Sequence, residues 1–93
     1  MHAIVTNIDI ELGRSSEATA MLNQLAVPQA QAAAGFITGY WMRSADHAQG
    51  TSVELFESQA TAEAALAARP PEAPADAPIT IISTRLMDIA ASA

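Results

Sequence analysis

From Ala3 to Leu12 the chain alternates. Ile4, Thr6, Ile8, Ile10 and Leu12 fall on one face, and Ala3, Val5, Asn7, Asp9 and Glu11 on the other. Period two with β-branched residues predicts a strand, which Gly13 ends. Ser15 or Ser16 is placed to cap a helix with Glu17 in its first turn, and Ala18, Met21, Leu22 and Leu25 keep helical spacing. Pro28 interrupts, so it ends one helical piece and opens a second, QAQAAA, which Gly35 closes. The prediction is a kinked helix.

Phe36 to Arg43 follows as a strand. The polar run Ser44 to Gly50 predicts a hairpin loop, and TSVELFE, Thr51 to Glu57, the return strand. Ser58 is a good N-cap for a helix over Gln59 to Ala68, stopped by Pro70 and Pro71. RPPEAPADAP, Arg69 to Pro78, carries four of the five prolines and predicts an extended connector. Ile79 to Ile89 is the last strand, and residues 90–93 form a tail expected to fray. The order β-α-β-β-α-β predicts one α+β domain over residues 1–93. It is a ferredoxin-like four-stranded antiparallel sheet with both helices on one face.

Alternation within the strands leaves apolar residues on both sides. Phe36, Tyr40 and Met42 are expected to oppose Ile37 and Trp41; Val53 and Leu55 to oppose Phe56; and Ile79, Ile81, Met87 and Ile89 to oppose Ile82 and Leu86. Two short helices cover one side only. The other side is expected to associate with a second copy, sheet against sheet, as a homodimer. On this pattern GFITGYWMR, Gly35 to Arg43, is expected to be a central strand.

Composition sharpens this picture. Ala supplies 22 of the 93 residues and aromatics only 4%, so the core is aliphatic and its elements can approach closely. Ten acidic residues against four Arg and no Lys give a formal charge of −6, which argues against nucleic acid and anionic membranes as partners. There is no Cys, so disulfides, thiolate metal sites and cysteine nucleophiles are excluded, and a cytoplasmic setting fits. The opening residues MHAIVTNIDIE lack a basic stretch and carry Asp9 and Glu11 within the apolar run, so they are not expected to act as a signal peptide. The uncharged run from Ala18 to Met42 has the length of a membrane span. It contains Asn23, Gln24, Pro28 and two glycines and changes period midway, so it is expected to be two soluble elements in series.

The run GFITGYWMRS…GTSVELFESQATAEAAL, with Pro28 before the second strand, Gly35-Phe36 opening it and the junction LFESQATAEAA, resembles the dimeric α+β barrel superfamily. Within it, the chain is similar to the antibiotic-biosynthesis-monooxygenase-like group. The resemblance spans nearly the whole chain. It implies that two sheets face each other as a barrel, and that small ligands bind between each sheet and its helices. Relatives include cofactor-independent oxygenases of quinol-like aromatics and haem-degrading enzymes. It also implies that an Asn in the first strand, here Asn7, can orient substrate or an oxyanion, a recognised catalytic device. The haem-degrading pattern uses a Trp on the third strand and a His on the second helix. Here the third strand offers Phe56 and the helix QATAEAALAA has no His, so haem degradation is not expected.

Asn7 is therefore the candidate catalytic residue; otherwise it is a strand-rim amide bonded to backbone. Tyr40 and Trp41 are candidates to stack on an aromatic substrate, or else pack core and interface. Arg85 is a candidate anion partner, though Arg43 and Arg85 can also pair with Glu54 or Glu57 across the sheet. His47 beside Asp46 belongs to a solvated loop, and His2 has no supporting neighbour in sequence. No HxH or HExxH spacing, Gly-rich phosphate loop or GxSxG occurs. The function expected is a monooxygenase-like protein acting without cofactor or metal on a small aromatic or polyketide-like molecule. The alternative is a non-catalytic ligand-binding or stress-response module of the same fold.

Overall fold

The strands β1 (His2–Ile10), β2 (Phe36–Arg43), β3 (Gln49–Phe56) and β4 (Ile79–Asp88) form one sheet in the order β2-β3-β1-β4 in the computed structural model, which describes all residues from Met1 to Ala93. Every neighbouring pair is antiparallel. This is the ferredoxin-like arrangement expected from the element order. β2 is an edge strand and not a central one, because the α-helical crossover from β1 skips the place that β3 fills.

The first helical segment is continuous but changes pitch. α1 (Ser15–Met21) runs into a π-helical turn (Leu22–Ala26) and then into α2 (Val27–Ala32). Pro28 has no N–H to give, and Val27 N donates to Leu22 O five residues back, so the turn before the proline widens. The expected serine cap is absent. Arg14 holds the N-cap position without a side-chain bond, and Ser15 is already helical. Arg14 instead bonds Glu11 and Glu17, which holds the Glu17 carboxyl below its ordinary range. Leu12 does not share the buried face of β1. The strand stops at Ile10, Gly13 turns at φ 81°, and Leu12 is left 98% exposed.

α3 (Gln59–Ala67) begins as expected at Ser58. Its hydroxyl accepts from Thr61 N, and Thr61 Oγ1 accepts from Ser58 N. This capping box satisfies two orphan amides. Gly35, at φ 78°, passes directly beneath it: a Cβ there would lie 2.6–2.7 Å from Thr61 side-chain atoms. Gly35 O also accepts from Glu57 N at 2.8 Å, tying the start of β2 to the end of β3.

Two bulges change which residues share a face. Phe36 pairs with Phe56 and Thr38 with Leu55, so Ile37 is the extra residue in β2. Asn7 pairs with Ser83 and Ile8 with Ile81, so Ile82 is the extra residue in β4. A single inserted residue reverses the alternation beyond it. Phe36 therefore lies with Trp41 on the helix side, not with Tyr40 and Met42. Leu86 likewise joins Ile79 and Ile81, and Met87 is on the opposite side. Both extra isoleucines are exposed.

The core sits at one end of the helix side. Ile4 and Phe56 are fully buried against Ala62 and Ala65 of α3, with Phe36, Leu66 and Leu86 around them. The rings of Phe36 and Phe56 meet edge to face, centroids 5.8 Å apart. Such burial stabilises by about 1.5–3 kcal/mol per large side chain. No helix is long and apolar enough to cross a membrane; the uncharged run 18–42 is divided between helix and strand.

Candidate functional site

The two helical layers touch the sheet at separate places. Ala62 and Ala65 seat α3 on the core end, and Ala18 and Ala30 are the buried residues of α1 and α2. Nothing is buried in the π turn between them. Alanines let the helix ends approach closely, and the longer Met21, Leu22 and Leu25 stand over a gap. The gap is a cleft of about 620 Å³, with Trp41, Ile8 and Ile81 on its sheet wall and the connector residues 69–74 along its rim. A predominantly apolar cleft of this size is in the range of small-molecule sites.

Its polar feature is an ion pair. Glu54, 3% exposed, points to the helix side from β3 and is held by Arg69 through two parallel bonds of 2.7 Å. Both residues line the cleft. Glu54 was expected to pair with Arg43 or Arg85 along the strands. It pairs instead with Arg69, because the chain leaving α3 descends onto the centre of the sheet. The signal for this was present: Glu54 is a lone charge at a β3 position that otherwise alternates Ser52 and Phe56 inward. Two bonds leave Arg69 with further N–H groups free of Glu54.

Trp41 rests on Gly39, its neighbour on the same face of β2. A Cβ on Gly39 would lie 2.9–3.0 Å from the outer atoms of the indole ring. The glycine thus gives the ring its bed. On the far side of Trp41 a smaller pocket of about 290 Å³ reaches towards Thr19 and Arg43.

The other sequence-derived candidates lie across the sheet. Asn7 faces the open side, where its Nδ2 donates to Ser83 Oγ at 3.2 Å and its Oδ1 accepts from Thr51 Oγ1 at 2.8 Å. Tyr40, 65% exposed, and Arg85 share that side by register. The sheet therefore separates Trp41 from Asn7, Tyr40 and Arg85. His47, at φ 60°, is exposed in the hairpin loop. Asp46 there accepts from Ser44 Oγ and Ala48 N, which lowers its pKa and organises the turn. His2 Nε2 lies 3.9 Å from Asp88, away from the cleft. No cluster of three His, Cys, Asp or Glu side chains could hold a metal.

The four-stranded antiparallel sheet carries its helices on one face, with the larger apolar cleft between sheet and helices. The fold is shared with MhuD. A crystal structure of a MhuD mutant with two manganese protoporphyrin IX molecules bound per active site superimposes with a TM-score of 0.71 at 13% identity, covering 100% of this chain and 98% of that one. At that identity the likeness establishes the fold. No family model matches the sequence, and no curated protein matches it.

Proposed function

We propose that this chain is a monooxygenase-like protein of the cytoplasm. It takes a planar aromatic or polyketide-like molecule into the cleft between sheet and helices and oxidises it without a resident cofactor. The observation that carries this is the cleft itself, about 620 Å³, with the sole tryptophan on one wall and the Glu54–Arg69 pair on its floor. Trp41 stacks on the ring. The free N–H groups of Arg69 meet the substrate oxygen as negative charge develops on it. With an anthrone-like substrate the activated ring methylene loses its two hydrogens. One oxygen atom of O₂ remains on that carbon as a carbonyl, and the other leaves as water.

A porphyrin, the ligand of the MhuD structure, does not fit this donor set. The lining has no imidazole, thiolate or phenolate for the metal; Met21 is its soft donor on the helix side. No step is therefore routed through haem. The alternative is ligand binding without chemistry, and one observation favours it: the carboxylate and guanidinium on the cleft floor are engaged with each other.

Oxygen uptake with quinols and anthrone-like compounds tests both. Wild-type uptake above buffer, reduced at least tenfold in Trp41→Ala and little changed in Asn7→Ala, supports chemistry in the cleft. Loss in Asn7→Ala alone moves the chemistry to the open face. Buffer-level rates with measurable binding leave the binding module.

The open face carries the second half of the proposal, a homodimer paired sheet to sheet. Val5, Val53, Leu55, Tyr40, Met42 and Met87 lie there, several of them exposed. Such a face is large and apolar for a 93-residue chain. Pairing would enclose Asn7, Thr51 and Ser83. Light scattering at low micromolar concentration is expected to give twice the chain mass; a monomer mass removes this half of the proposal.

A further inference from the structure

Arg43 stands out among the four arginines. Arg14 is bonded to Glu11 and Glu17, and Arg69 to Glu54, while Arg85 lies on the opposite face of the sheet. Arg43, like Arg85, has no carboxylate partner in a chain of net charge −6, and of the two only Arg43 is on the helix side. Its Nη1 reaches across from β2 to two hydroxyls of α1, Thr19 Oγ1 at 3.0 Å and Ser15 Oγ at 3.5 Å. Both hydroxyls act as acceptors there, so each keeps its own O–H to donate. A guanidinium and two hydroxyls thus converge where the protein supplies no anion.

Arg43 and Thr19 line the smaller pocket, with Ser15 just beyond its lining, and Trp41 borders both that pocket and the cleft. Trp41 and Arg43 are two residues apart on one face of β2, about 7 Å along the strand. We propose that Arg43, with Thr19 and Ser15, is a carboxylate subsite that selects aromatic acids: the ring lies in the cleft beside Trp41, and its carboxylate passes the indole to meet Arg43. This rests on the cleft being the ligand site and names the substrate class for it. Charge-assisted bonds at an exposed arginine account for about a tenfold preference for acid over neutral ester. Added salt weakens that preference.

The test uses the full chain and a naphthoic acid with its methyl ester, titrated by calorimetry at low salt. The wild type is expected to bind the acid about tenfold more tightly than the ester, with the ratio near one in Arg43→Gln and partly kept in Arg43→Lys. Equal affinities in the wild type, a ratio that survives Arg43→Gln, or a ratio lost in Arg85→Gln instead, each overturns the subsite. In those cases binding of the ester still upholds the cleft. If neither compound binds, the subsite and the cleft reading both fall.

Discussion

Arg69→Ala is expected to lower the melting temperature by more than 10 °C. Glu54 is 3% exposed, and both its oxygens are satisfied by Arg69. Removing one partner of a buried pair leaves the other uncompensated, at a cost of about 3 kcal/mol or more. In a domain of this size each kcal/mol moves the melting temperature by roughly 4–8 °C. The loss belongs to the stranded carboxylate, not to an intrinsic strength of the pair. A double variant, Glu54→Leu with Arg69→Met, is therefore expected to recover most of it. Thermal unfolding by circular dichroism decides. A fall below about 3 °C in Arg69→Ala would mean that water reaches Glu54 freely and that the ion pair does not organise the cleft floor.

Gly39→Ala is expected to abolish most ligand binding while leaving the fold intact. The added methyl would sit 2.9 Å from Trp41 Cη2, 3.0 Å from Cζ3 and 3.3 Å from Val53 O. The nearest atoms belong to the outer edge of the indole, a side chain that can rotate, whereas Val53 O is backbone, so the indole leaves its bed. The space open to it is the cleft or the smaller pocket. Affinity for an aromatic ligand should drop more than tenfold, about 1.4 kcal/mol. Trp41 is the only tryptophan, so its emission reports the move directly. Unchanged emission and unchanged affinity would show that the ring does not depend on Gly39.

Much of the fold was legible because local chemistry and tertiary structure agree. Alternation marked β1, Ser58 marked the start of α3, and the prolines marked the connector 69–78. Pro28 marked a break in the first helix, but the chain there stays helical, through a π turn in which Val27 N reaches Leu22 O five residues back. The serine cap failed because Arg14 is drawn to Glu11 and Glu17, with a further bond to Asp76 O in the connector. The candidate site was less legible. Trp41 was singled out from its residue type. Glu54 and Arg69 were not, because fifteen residues separate them and only the descent of the chain after α3 joins them.

The sequence by itself determined the element order, and with it the ferredoxin-like sheet with helices on one side. It also set the acidic, alanine-rich character that lets helices sit close. Only the tertiary structure decided which residues share a face. Ile37 and Ile82 are each one residue too many for their partner strands, and period two cannot announce an insertion that appears only when strands pair. Those two bulges put Phe36 with Trp41 and Leu86 with Ile81. Asn7 needs no bulge to lie across the sheet from Trp41: the β1–β3 register is unbroken, and the alternation of β1 already sets it opposite Ile8.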